Sequence, residues 1–175
     1  MPLLEAAKVM SPMLNEAGLE VYGTFVGLFG LATNECYLVT YGETSAAELL
    51  NDRFEIIMAR EFVPTVRPTE FSPRTEPGIY VFRWFQVNMK DVDEIARLSD
   101  TAWNTFEGDF DTKVQGLFVQ ADRGPDQGEM LLLTWYRNLT VWEESRLPSP
   151  EARANFMQRQ KLVLEAKPIA TRLFL

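Results

Sequence analysis

Arg83 is the residue whose type and setting most invite chemistry. It sits inside the aromatic stretch Gly78-Ile79-Tyr80-Val81-Phe82-Arg83-Trp84-Phe85-Gln86-Val87, where a guanidinium cannot shed its charge at neutral pH. Such a group must meet a carboxylate, a carbonyl or water in a cavity. As a ligand residue it would clamp a carboxylate, enolate or phenolate oxygen through paired, charge-assisted hydrogen bonds. As a structural residue it would pair with Asp or Glu instead. Tyr136 could donate a proton or a hydrogen bond to a ligand oxygen, or simply bond a backbone carbonyl. Glu35 and Glu129 could act as acid–base groups, but both open strands beside turns, where solvated carboxylates are ordinary. Cys36 has no basic neighbour in sequence and reads as an inert core thiol.

What is missing narrows the chemistry further. The 175 residues include no histidine, which removes His-ligated haem, Ser-His triads and imidazole acid–base catalysis together. No metal-ligand spacing, glycine-rich phosphate loop or Rossmann fingerprint appears, so neither a metal nor a nucleotide cofactor is expected. A net charge of −8 and a pI near 4.7, with no basic run, argue against nucleic acid and anionic membrane surfaces as partners. With one cysteine no internal disulfide can form, no apolar run is long enough to span a bilayer, and residues 1–5 carry no signal pattern. The expected location is cytoplasmic.

The elements that must position these residues come in two related sets. Val21-Tyr22-Gly23-Thr24-Phe25-Val26 returns 93 residues later as Val114-Gln115-Gly116-Leu117-Phe118-Val119, and the stretch from Glu35 to Tyr41 returns 94 residues later as that from Glu129 to Trp135. Pro64-Thr65-Val66 is echoed by Pro168-Ile169-Ala170. Alternation over 78–87 places Ile79, Val81, Arg83, Phe85 and Val87 on one strand face. A helix with Val92, Ile95, Ala96, Ser99, Trp103, Phe106 and Phe110 on one stripe follows. Strands are expected at 113–121 and 129–137, joined by a turn-rich loop. Thr140-Val141-Trp142-Glu143 reads as a capping box. Ser149-Pro150-Glu151 opens a helix to about 166, whose inner stripe holds Phe156, Met157, Gln160, Val163 and Leu164, and Pro168 ends it before a last strand at 169–175. The order βαββαβ is the ferredoxin-like split βαβ unit. The first set reads helix 2–17, strands 19–29 and 35–41, helix 44–59 and strand 62–71, without an opening strand. The fold class is therefore α+β, as two tandem ferredoxin-like repeats at 1–71 and 78–175 joined by the linker 72–77.

Tyr80-x-Phe82-Arg83-x-Phe85 before a helix, the G-x-F strand, the strand ending Thr134-Trp135-Tyr136-Arg137-Asn138-Leu139, and the helix from Arg153 to Leu164 before a terminal strand resemble the NIPSNAP family of the dimeric α/β-barrel superfamily. The resemblance covers 78–175, and 1–71 more loosely through the repeat. It implies two antiparallel sheets facing each other, helices outside, and an enclosed cavity. Val81 and Phe85 would flank Arg83 on that cavity face. Thr40 and Thr134, equivalent by the repeat, would line it beside Leu132 and Tyr136, with Phe25 and Phe118 as apolar walls or as core. Haem-using relatives commonly employ a histidine, which this chain lacks. The expected activity is binding of a small apolar or aromatic oxygen-bearing molecule by a cofactor-independent oxygenase, isomerase or cyclase, with Arg83 and Tyr136 catalytic. A non-catalytic small-molecule or protein-interaction module is the alternative. The unpaired edge of the first sheet, and the pairing common among such proteins, make a homodimer an expectation.

Overall fold

The computed structural model describes residues 3–174, apart from the side chains of residues 3, 4, 6 and 7. Helix α1 (Leu3–Glu16) leads into the hairpin β1 (Glu20–Phe29) and β2 (Cys36–Tyr41), a short helix α2 (Ala46–Leu50) and the short strand β3 (Phe62–Pro64). The second half runs β4 (Ile79–Asn88), α3 (Val92–Asp109), β5 (Thr112–Gln120), β6 (Gln127–Tyr136), α4 (Leu139–Glu144), α5 (Pro150–Leu162) and β7 (Val163–Leu173). The expected helix start at residue 2 and strand end at residue 175 lie outside the described residues. Among the described residues no helix is long and apolar enough to cross a membrane.

The seven strands form one curled antiparallel sheet in the order β2-β1-β7-β4-β6-β5-β3. Its middle, β7-β4-β6-β5, has the strand order of a split βαβ unit, so the second half folds as the βαββαβ pattern requires. The first half builds no sheet of its own. Its hairpin joins β7 through β1, and its last strand joins β5. Two facing sheets are thus replaced by a single continuous one. Alternation determines which residues share a face and leaves strand neighbours open, so the pattern alone could not choose between these arrangements.

Several local expectations also change. Helix α2 stops at Leu50, and 51–61 runs toward the β5–β6 hairpin, tied to β6 by Arg60 Nε donating to Glu129 Oε2 at 2.8 Å and to the end of β5 by Ala121 N donating to Glu61 O at 2.9 Å. The cap of α4 is Asn138, whose side chain accepts from Val141 N, so Thr140 is not the cap. Ser149 caps α5 as expected, with Pro150 in the first turn. That helix ends at Leu162, and Pro168 lies inside β7 opposite Arg83. Strand β1 joins β7 only from Ala170 onward, so β7 is singly paired at Pro168 and tolerates a residue without an N–H.

The repeated V-x-G-x-F-V does the same job in both places. The β1–β2 ladder shifts register between Val21 and Gly23, and the β5–β6 ladder between Val114 and Gly116. A Cβ on Gly23 would stand 2.8 Å from the Phe25 ring, and one on Gly116 would stand 2.5 Å from the Phe118 ring. Each glycine therefore supplies a bulge and the space into which the following phenylalanine folds.

Candidate functional site

The two sheet faces have different coverings. On one, Tyr80, Phe82, Leu131, Leu133, Trp135 and Ile169 pack with Tyr22 and Phe25. On the other, Val81 and Ile79 meet Phe106 of α3 and Ala152 of α5, while Phe85 and Val87 meet Val92, Ile95 and Trp103. Arg83 shares that second face by alternation, so it lies between sheet and helices. The expectation that its face lines the barrel interior, with helices on the far side, is corrected here. Both faces of β4 are apolar, and the stripe on α3 decides which is covered by helices.

This face brings most of the sequence candidates together. Strand β6 pairs with β4 so that Leu132 stands opposite Arg83, Thr134 opposite Val81, and Tyr136 opposite Ile79. Arg83, Tyr136, Val81, Phe85, Thr134 and Leu132 thus form one patch under α3 and α5. Phe25 and Phe118 lie on the opposite face, in an aromatic layer where Phe25 stands 5.0 Å from Tyr80 and 5.1 Å from Phe82. Thr40 is on the outer strand β2, separated from β4 by β1 and β7, on the side where Cys36 and Leu38 pack against Leu14 of α1. Glu129 is engaged by Arg60, and the Glu35 carboxylate accepts from Ala32 N in its own loop.

Arg159 is the main residue that sequence reasoning missed. It descends from α5 onto the patch and is only 5% exposed. Its Nη1 donates to Ser99 Oγ at 3.2 Å, and Ser99 Oγ in turn donates to Ile95 O at 2.7 Å. The guanidinium lies over the rings of Phe156 at 4.8 Å and Phe85 at 5.3 Å. The inward stripe of α5 is buried Ala152, half-buried Phe156 and buried Arg159, not the expected Met157 and Gln160, which are exposed. A stripe drawn through apolar residues alone passes over an arginine. Its spacing of three from Phe156 was the available signal.

The electrostatics are unusual for so acidic a chain. Among the described residues neither Arg83 nor Arg159 forms an ion pair, although Arg60, Arg67, Arg97 and Arg137 all do. Burial lowers the Arg83 pKa; Tyr136 opposes that shift and Arg146 adds to it. Burial, reinforced by Arg83, pushes Arg159 down to about 9. The Tyr136 phenol is raised by burial, against the pull of Arg83 and of contacts with Ser145 and Thr134. It is therefore a neutral hydroxyl at physiological pH. Arg83 donates no side-chain hydrogen bond among the described residues, and the sole buried polar side-chain atom without a partner there is Trp142 Nε1. The Arg83 N–H groups consequently reach solvent-accessible space. Trp142 packs in the same cluster as Val81 and Tyr136. Two surface grooves, of about 410 Å3 near Arg67 and about 460 Å3 near Arg74, lie elsewhere and touch none of these residues.

The molecule is a single curled antiparallel sheet with helices α3 and α5 packed on one face. Two solved structures share this fold with the chain. An anthrone oxidase-like protein aligns with a TM-score of 0.62 at 13% identity, over 98% of this chain and 84% of its own. A monooxygenase-like protein from Lactobacillus acidophilus NCFM aligns with a TM-score of 0.51 at 10% identity, over 98% and 85%. At such identities the likeness is one of fold. No family model matches the chain, and no curated protein does.

Proposed function

We propose that this chain binds a small apolar or aromatic oxygen-bearing molecule between the sheet and helices α3 and α5, and acts on it as a cofactor-independent oxygenase. The observation that carries the reading is the meeting of Arg83, Arg159 and Tyr136 on one apolar face with no carboxylate among the described residues to neutralise the guanidiniums. Such cations stabilise an enolate or phenolate, whose carbon is then electron-rich. That carbon gives an electron pair to dioxygen, forming a C–O bond and a peroxide anion. The neutral Tyr136 hydroxyl is placed to protonate it. Isomerase or cyclase chemistry on an enolised carbonyl would use the same groups. The names of the two structural neighbours favour the oxygenase.

The finer kinship, to NIPSNAP proteins, rests on Tyr80-x-Phe82-Arg83-x-Phe85 and on the strand that ends in Tyr136. The same reading keeps a cytoplasmic location and a homodimer as proposals. A second reading, a non-catalytic binding module, is favoured by the other sheet face, which is filled by its own aromatic rings.

Dioxygen uptake separates the two. Supplied with anthrone or 1-naphthol, the protein is expected to consume oxygen above the buffer rate, and Arg83→Met to lose about tenfold or more of that activity. Thermal shifts by these compounds without oxygen uptake would leave the binding module as the answer.

A further inference from the structure

We infer that this site takes its ligand as an anion with two neighbouring oxygens, seated between the guanidinium of Arg83 on the sheet and that of Arg159 on α5. The inference rests on the proposed small-molecule site and specifies its charge. The chain has 25 acidic residues against 17 Lys and Arg, so a carboxylate is the partner an arginine most easily finds. Arg67 shows the ordinary outcome, with Nη1 donating to both Glu107 oxygens at 2.8 Å. Arg83 and Arg159 have no such partner among the described residues, and Arg83 acts on Arg159 as a like charge.

Core packing does not account for this arrangement. A buried cation without its counterion is among the costliest things a fold can hold, and a methionine or leucine would fill the space at no electrostatic cost. Arg159 spends one of its five N–H donors on Ser99, and Phe85 and Phe156 cover its faces, so the rest of its rim is open to an acceptor. Among the described residues Arg83 spends none on another side chain or backbone carbonyl. A planar guanidinium pairs best with two oxygens, and two guanidiniums from opposite walls match a pair of oxygens on one planar ligand. Trp142 Nε1, buried and unpartnered beside Tyr136, adds a neutral donor to the same cluster. The ligand class is an aromatic ring bearing a hydroxyl next to a carboxylate or carbonyl, bound ionised.

Calorimetric titration with 1-hydroxy-2-naphthoate and with its neutral counterpart, methyl 1-methoxy-2-naphthoate, tests the charge preference. The wild-type protein is expected to favour the anion by about tenfold or more, the size of one charge-assisted hydrogen bond. Arg159→Met is expected to abolish that preference while leaving the neutral probe within about twofold, and Arg159→Lys to restore part of it. Equal affinity of the wild type for both probes, or equal losses for both in Arg159→Met, would overturn the inference and leave the apolar site standing. Binding of neither probe would overturn the site itself along with it.

Discussion

Arg83 and Arg159 can be told apart from structural arginines by what happens when each loses its charge. Removing one member of a buried ion pair strands a carboxylate and costs several kcal/mol, whereas removing an uncompensated cation does not. Arg83→Met is therefore expected to melt at or above the wild-type temperature, by up to a few degrees, and a fall of five degrees or more would reveal a hidden acidic partner. Arg159→Met should be stabilised too, with a pH signature. Burial lowers the folded-state pKa of Arg159 to about 9, well below the ordinary arginine range. Below pH 9 the group is charged in both states, so the folded wild type carries the whole cost of burying it. Above pH 9 the folded state releases a proton that the unfolded chain keeps, and wild-type stability recovers. The melting advantage of Arg159→Met should be full at pH 7 and shrink above pH 9; an advantage that grows with pH would contradict the assignment. At this scale Arg83, Tyr136, Thr134 and Leu132 were legible together, because alternation on paired strands puts them on one face. Arg159 was not, because α5 carries no clear apolar stripe and a charged residue is ordinarily assigned to solvent.

The repeated glycine bulge makes its own prediction at the scale of the element. At Gly116 a methyl group would meet the Phe118 ring at 2.5 Å and the Pro68 ring at 2.8 Å. Gly116→Ala should thus cost about 1–3 kcal/mol by overpacking, measurable as a lower urea midpoint at unchanged slope. A variant as stable as the wild type would mean that the bulge tolerates a side chain and that the repeated motif has another cause. The motif was plain in the sequence, and so were β4, α3, β5 and β6, whose periodic patterns are long and uninterrupted. The region 44–64 was not. Its apolar residues Ile56, Ile57 and Met58 suggest a helix, yet all three are exposed, because the tie of Arg60 to Glu129 draws the chain out toward the β5–β6 hairpin.

For the whole molecule, one sheet replaces the two that the repeat suggested, and its edges are the first-half strands β2 and β3. Strand β4 is paired on both sides from Ile79 to Val87, by β6 and β7. Its amides are expected to be the last to exchange with solvent, and those of the three-residue β3 among the first. Comparable protection in β3 and β4 would point to a further strand or subunit covering that edge. Which sheet face would carry the site was beyond the sequence, since both faces of β4 are apolar and only the docking of α3 distinguishes them.

The four tryptophans divide between those faces and make the central claim measurable at once. Trp84 and Trp135 belong to the aromatic face, with Nε1 of Trp84 donating to the Tyr37 hydroxyl and Nε1 of Trp135 to Pro77 O. Trp142 belongs to the helix-covered face, its Nε1 unpartnered. In a nitrogen–proton correlation spectrum titrated with 1-hydroxy-2-naphthoate, the Trp142 indole resonance is expected to shift and to saturate with the calorimetric affinity, while those of Trp84 and Trp135 stay in place. Movement of Trp84 and Trp135 with Trp142 unmoved would put the ligand on the barrel side of the sheet and contradict the site proposed between the sheet and its helices.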